Sequence, residues 1–203
     1  MTTTQTLIPT TRNVTRLFRQ ASLSEVQAGR EWYATAHRIA GELAATHGVT
    51  LDVAAGVLSA TSPLNSWGAN VRLAGKVLAA GGSKTDGYLG LGLRKANAII
   101  AGAPILPTLN GIKTQNFYRS ILSAGADGVT IDRHAWSVAV NFRYEGGVIP
   151  NMSATRYESA AECYRRAARI LSREYGMELS PAVVQAVTWV QWRNRYWAEG
   201  AWD

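Results

Sequence analysis

The sequence predicts an all-α fold, on three observations. Apolar residues recur three and four positions apart along most of the chain. The runs they form open at Ser, Thr, Asp or Asn and close at Gly or Pro. No alternating apolar–polar stretch of useful length occurs, apart from a short candidate strand at Gly128 to Ile131.

Taken in order, residues 1–13 are Thr-rich, polar and interrupted by Pro9, which predicts a flexible N-terminal arm ahead of one domain over 14–203. Ser22 or Ser24 can cap a helix whose Trp32, Tyr33, Ala36, Ile39, Ala40 and Leu43 share a face and which ends before Gly48. Thr50 caps a nearly all-apolar helix, Leu51 to Ala60, which belongs in an interior. Ser62-Pro63 breaks it, and Asn65 or Ser66 caps the next, with Trp67, Val71, Ala74, Val77 and Leu78 on one face up to Gly81-Gly82. The run LRKANAIIAG gives another short helix, which Pro104 and Pro107 separate from the stretch Leu109 to Arg143. Beyond Arg143, EGGVIPN reads as a loop, and Thr155 with Glu158 as a capping box for a helix carrying Tyr157, Ala160, Ala161, Tyr164, Ala168 and Leu171. Ser180-Pro181, cap plus first-turn proline, opens a last helix bearing Val183, Val184, Val187 and Val190.

The 203 residues carry 21 Lys and Arg against 14 Asp and Glu, a formal charge of +7 spread along the chain. A folded basic surface attracts a polyanion, and nucleic acid fits it best. No run reaches the ~18 apolar residues of a membrane span, so a membrane is not an expected partner. The start of the chain lacks the pattern of a signal peptide, so the expected location is cytoplasmic, that of a bacterial host if the gene is viral. Cys163 is the only cysteine, which excludes an internal disulfide, a four-cysteine iron–sulfur site and a cysteine-rich zinc site. His37, His47 and His134 fall in no ligand-spaced cluster, and neither metal nor cofactor is expected.

The chemistry is expected in 105–143. There Asn110-Gly111 makes a turn, Lys113 opens one apolar-periodic run and Asp132 opens the next, 132 − 113 = 19 residues on. If the two runs are helices, an amine and a carboxylate each sit at a helix N-terminus, where unpaired N–H groups suit an anion such as a DNA phosphate.

Four segments, in order, resemble the helix-hairpin-helix DNA glycosylases of the endonuclease III and 8-oxoguanine glycosylase type. GVLSATSPLNSW is similar to that family's LLSAQ helix and turn, GLRKANAIIAG to its G-L-x-x-x-K-A-x-x-I segment, LNGIKTQNF to its L-P-G-V-G-x-K-T hairpin, and VTIDRHAWSVAV to its V-D-x-H-x-x-R-V helix start. With QWRNR in the last helix, the likeness spans roughly Val49 to Tyr196. Leu109 stands where the family has its first hairpin glycine, and the iron–sulfur loop of many relatives is absent.

The resemblance implies a two-lobed helical fold that binds double-stranded DNA with one nucleotide turned out. It implies that Asp132 is the catalytic carboxylate and Lys113 the nucleophile that lyase-active members use. It also implies that Gly111, with Asn110, Thr114 and Arg133 beside the two helix starts, contacts DNA. The turn bearing Asn65, Ser66 and Trp67, together with Trp136 and His134, supplies candidates for a base pocket or wedge. Breaking an N-glycosidic bond builds positive charge on the sugar, which a fixed carboxylate stabilises. A neutral lysine amine can instead attack the anomeric carbon and form a Schiff base. The function expected is therefore a DNA glycosylase, with or without AP-lyase activity, acting on a damaged or modified base. Two alternatives stand beside it: amine transfer onto an activated pyrimidine in viral DNA hypermodification, and a non-catalytic DNA-binding module in which Asp132 is an ordinary helix cap. Which base is read, and the oligomeric state, are not written in the spacing.

Overall fold

The computed structural model describes residues 7–84, 86–144 and 151–196, and these form ten helices and no strand. In chain order they are α1 (Thr11–Gln20), α2 (Leu23–His47), α3 (Leu51–Thr61), α4 (Trp67–Ala79), α5 (Gly90–Ile100), α6 (Ile105–Leu109), α7 (Ile112–Leu122), α8 (Arg133–Val140), α9 (Ala154–Tyr175) and α10 (Pro181–Tyr196). The protein is all-α.

The chain divides into two compact units. The first is built on Met1–Trp32 and Val129–Trp197, the second on Tyr33–Gly128. Each has its own core. In the first, Val14, Leu17, Trp136, Tyr157, Tyr164, Val187 and Trp192 are buried together. In the second, small and branched side chains of α3 (Ala54, Ala55, Val57, Leu58) meet Val77, Leu93, Ile99 and Ile121.

Several expectations are corrected. The arm predicted over 1–13 gives way from Thr11 onward to a helix: Thr10 accepts from the Asn13 N–H at 3.2 Å and starts α1, which buries Val14, Leu17 and Phe18 at i, i+3, i+4. Residues 1–6 lie outside the described residues, as does most of EGGVIPN. Pro104 and Pro107 do not merely separate elements. Pro104 caps α6 and Pro107 occupies its third position, where an N–H would have no helical partner in any case.

The cap of α9 is Ser153, whose hydroxyl accepts from the Arg156 N–H at 3.3 Å, rather than Thr155. Glu158 instead reaches forward to Arg165 at 2.6 Å. The candidate strand at Gly128 to Ile131 is irregular chain without a partner strand, Gly128 having φ 83°. It bonds to the side chain of Tyr157 instead.

The other starts hold. Ser22 and Glu25 form the capping box of α2: Ser22 Oγ accepts from Glu25 N–H at 3.3 Å, and Glu25 Oε2 accepts from Ser22 N–H at 2.8 Å. Thr50, Ser66 and Ser180 cap α3, α4 and α10.

One glycine fixes the first unit's architecture. A Cβ on Gly29 would lie 2.4 Å from Val187 Cα and 2.5 Å from Val187 N, so α2 and α10 meet backbone to backbone there. Trp32 and Trp189 follow within one turn on each helix, and their rings stack at a tilt with centroids 5.1 Å apart.

Candidate functional site

Asp132 is the N-cap of α8 and is half-buried. Its Oδ1 accepts from the Ala135 N–H at 2.7 Å, the bond that starts the helix. Its Oδ2 accepts from the indole Nε1–H of Trp189 at 2.9 Å. Two N–H donors from different elements therefore fix the plane of the carboxylate. Each oxygen keeps a second lone pair for another partner.

The approach to Asp132 is equally fixed. Val129, Thr130 and Ile131 are buried, and the hydroxyl of buried Tyr157 donates to Val129 O at 2.6 Å while accepting from Ile131 N–H at 3.1 Å. One side chain replaces the partner strand this segment lacks. Tyr164 donates to Ala135 O at 2.9 Å, and its full burial raises its pKa, so it stays a donor.

Around the carboxylate stand Trp189, Arg193, His134 and Arg133. Arg193 lies over the Trp189 ring at 5.0 Å, and its Nη1 is 3.4 Å from His134 Nε2. Burial pushes the Arg193 guanidinium below its ordinary pKa, the Asp132 charge works the other way, and Arg133 adds to the lowering. The His134 ring meets the Trp189 ring edge-on at 6.2 Å.

Among the residues singled out from sequence, Trp136 and His134 do not line an opening. Trp136 is 1% exposed; its indole N–H donates to Tyr144 Oη at 3.1 Å, and Arg156 covers its ring at 5.3 Å. A side chain without a free face cannot stack on a base, so Trp136 is core. His134, 6% exposed, lies beneath Trp189 and Arg193 rather than at a surface.

The second unit holds the remaining candidates. Helices α6 and α7 are joined by two residues: Asn110 takes a left-handed conformation (φ 45°) and Gly111 an extended one. Asparagine thus performs the sharp bend that glycine is expected to perform. Lys95 locks it, its Nζ donating to Leu109 O at 2.6 Å and Asn110 Oδ1 at 2.7 Å; partial burial lowers the Lys95 pKa. Thr114 donates its hydroxyl to Gly111 O at 2.9 Å. No side chain caps the N–H groups that start α7. Lys113, in that first turn, is half-buried and makes no ion pair or hydrogen bond among the described residues.

In the α3–α4 turn the polar candidates close the turn itself. Asn65 Nδ2 donates to Thr61 O at 2.9 Å, Ser66 Oγ accepts from Ala69 N–H at 3.4 Å, and Tyr88 donates its hydroxyl to Pro63 O. Trp67 packs partly on the core, edge-on to Phe117 at 6.2 Å. What the turn presents to solvent is Leu64, 78% exposed and held at φ 62°. A leucine in the left-handed region costs roughly 1–2 kcal/mol, and exposing it adds to that.

Tyr157 and Leu64 are neighbours of the candidate groups that sequence reasoning does not single out, and it does not pair Trp189 or Arg193 with Asp132. Trp189 and Tyr157 fall on core-facing stripes, and nothing in local spacing marks which buried ring reaches the carboxylate. Among the described residues, no group of three His, Cys, Asp or Glu could hold a metal ion, and no single helix is long and apolar enough to cross a membrane.

Fold and site together define an all-helical basic protein with a clamped carboxylate in one unit and an open helical hairpin in the other. The chain belongs to a family of unknown function, DUF7178, whose match covers residues 1–196. No curated protein and no solved structure matches it.

Proposed function

We propose that this protein is a DNA N-glycosylase that acts on a damaged or modified base turned out of the duplex. The observation that carries the reading is the Asp132 carboxylate, half-buried, oriented by N–H donors from Ala135 and Trp189, and flanked by Arg193 and Arg133. Such a group is preorganised to stabilise positive charge growing on a sugar as the C1′–N bond breaks and the electron pair leaves with the base. Water then adds at C1′, and its proton is lost to a base such as this carboxylate. Where Lys113 attacks instead, its amine displaces the base and the sugar opens to a Schiff base.

The second unit supports the DNA part of the reading. The uncapped start of α7 beside Lys113 offers N–H groups to a phosphate. Exposed Leu64 suits the apolar wedge that a kinked or unstacked duplex receives. The net charge of +7 has the matching sign.

The test is nucleoside and free-base analysis after incubation with DNA carrying a panel of modified bases. Wild type releases a free base. Asp132→Asn, which keeps the oxygen that caps α8, slows release by about 10²-fold or more while duplex binding persists. Borohydride traps a wild-type crosslink, absent in Lys113→Ala, if the lysine attacks.

A second reading has one observation in its favour. Both Asp132 oxygens already accept protein N–H groups, as a purely structural cap would. A DNA-binding module without chemistry then predicts no product from any substrate, with Asp132→Asn altering stability alone.

A further inference from the structure

The first unit carries a concave basic surface away from the carboxylate. A groove of about 470 Å³ runs between α9 and the turn that leads into α10; Arg165, Arg169 and Arg173 line it against one acid, Glu178. The three arginines are four residues apart, so they form one stripe that spans about 12 Å of helix. Leu179 and Pro181 give the opposite wall an apolar surface.

The guanidinium groups are partly prearranged. Glu162 is gripped by Arg166 at 2.9 Å, Arg169 at 3.3 Å and Arg165 at 3.4 Å, and Glu158 holds Arg165 at 2.6 Å. These contacts, the Arg166 hydrogen bond first, hold the Glu162 carboxyl below its ordinary pKa. Arg173 has no acid partner among the described residues. Side chains already held in one geometry lose less entropy on binding. The planar fork of arginine matches a phosphate bidentately, which a compact ammonium does not.

We infer that this groove seats the phosphodiester backbone of the bound DNA, as a second contact beyond the hairpin. The observations that select it are the row of guanidinium groups, the concave shape and the apolar wall, which suits deoxyribose between phosphates. Pro181 and Trp189 share α10 and are eight residues apart, so the groove lies about 12 Å along that helix from the carboxylate site. It therefore holds a flanking stretch of backbone rather than the nucleotide under attack. The inference rests on the proposed DNA-directed function.

The experiment measures anisotropy of a fluorescein-labelled, unmodified duplex of mixed sequence across a salt series. Wild type is compared with Arg173→Gln, Arg169→Gln/Arg173→Gln, and, as a control of equal charge change, Arg38→Gln in the other unit. Thermal melts verify folding. Each lost phosphate contact lowers the slope of log affinity against log salt by about 0.9. Arg173→Gln is expected to lower it by about one and the double variant by about two, with roughly ten-fold weaker binding at low salt and Arg38→Gln unchanged. Equal slopes in wild type and the double variant, while wild type binds, overturn the groove and leave the glycosylase reading standing. So does an Arg38→Gln loss as large as that of Arg173→Gln, which makes the effect one of bulk charge. If wild type binds no duplex at all, both readings fall.

Discussion

The two units solve opposite problems. In the first, the groups that aim Asp132 are answered: the carboxylate by Ala135 and Trp189, the chain before it by Tyr157, the first turn of α8 by Tyr164. In the second, comparable groups are left open: the start of α7 has no side-chain cap, Lys113 has no partner among the described residues, and Leu64 faces solvent in a strained conformation. Saturation fixes a group in space. Open groups and stored strain invite a ligand. Under the proposed function the Asp132 region serves positioning and the open groups of the second unit serve grip, a division that predicts opposite responses to substitution at the two.

The largest expected effect lies at the α2–α10 crossing. Gly29→Ala places a methyl group 2.4 Å from the Val187 backbone, where no rotamer change relieves it, so the helices must separate. A loss of about 3 kcal/mol is expected, beyond the ~1 kcal/mol that alanine returns through helix propensity. Because Trp32 and Trp189 stack just past that crossing, the Asp132–Trp189 bond should be disturbed as well. Gly41 on the same helix belongs to the second unit and has nothing within 4 Å of its would-be Cβ. Gly41→Ala should therefore stabilise by up to ~1 kcal/mol. Chemical denaturation of the two variants checks the pair; equal effects would undo the argument from close approach.

Next in size is Tyr157→Phe. It strands a buried carbonyl and a buried N–H at Val129 and Ile131, for about 1–3 kcal/mol. If the segment exists to aim Asp132, base release should fall further than stability explains, while duplex affinity, which under the proposed function rests on groups away from this segment, stays near wild type. A parallel fall in both would show that Tyr157 supports the fold only.

Much of this is legible in the sequence, and the exceptions follow a rule. Caps acting on their own helix three residues ahead, such as Thr50, Ser66 and Asp132, are readable because the chemistry is local. Helix α1 escapes notice because its apolar content is only Val14, Leu17 and Phe18 amid polar residues, and its place is secured by remote bonds, such as Asn13 Nδ2 to Ala139 O at 2.9 Å. Helix α6 is hidden by two prolines that occupy the tolerated first turn. Asp132 and Lys113 stand out by type, order and resemblance. Trp189 and Tyr157 do not, since their bonds span 57 and 26 to 28 residues and periodicity shows only that they face inward. The burial of Trp136 corrects the same blindness in reverse: an aromatic next to a charged turn reads as a surface group when its face belongs to the core.

The smallest effect on stability discriminates most sharply between positioning and grip. Leu64→Gly relieves a left-handed leucine, roughly 1–2 kcal/mol, and offsets about half of that by loosening the unfolded chain. The folded protein should emerge unchanged or up to ~1 kcal/mol more stable. Duplex affinity should nevertheless fall, by several-fold, and more for a bent or mismatched duplex than for a straight one, because an apolar wedge acts only where bases unstack. A residue kept merely for packing would show the reverse order, losing stability with no change in affinity. Unchanged affinity for both duplexes would mean that the strain at Leu64 serves something other than nucleic acid.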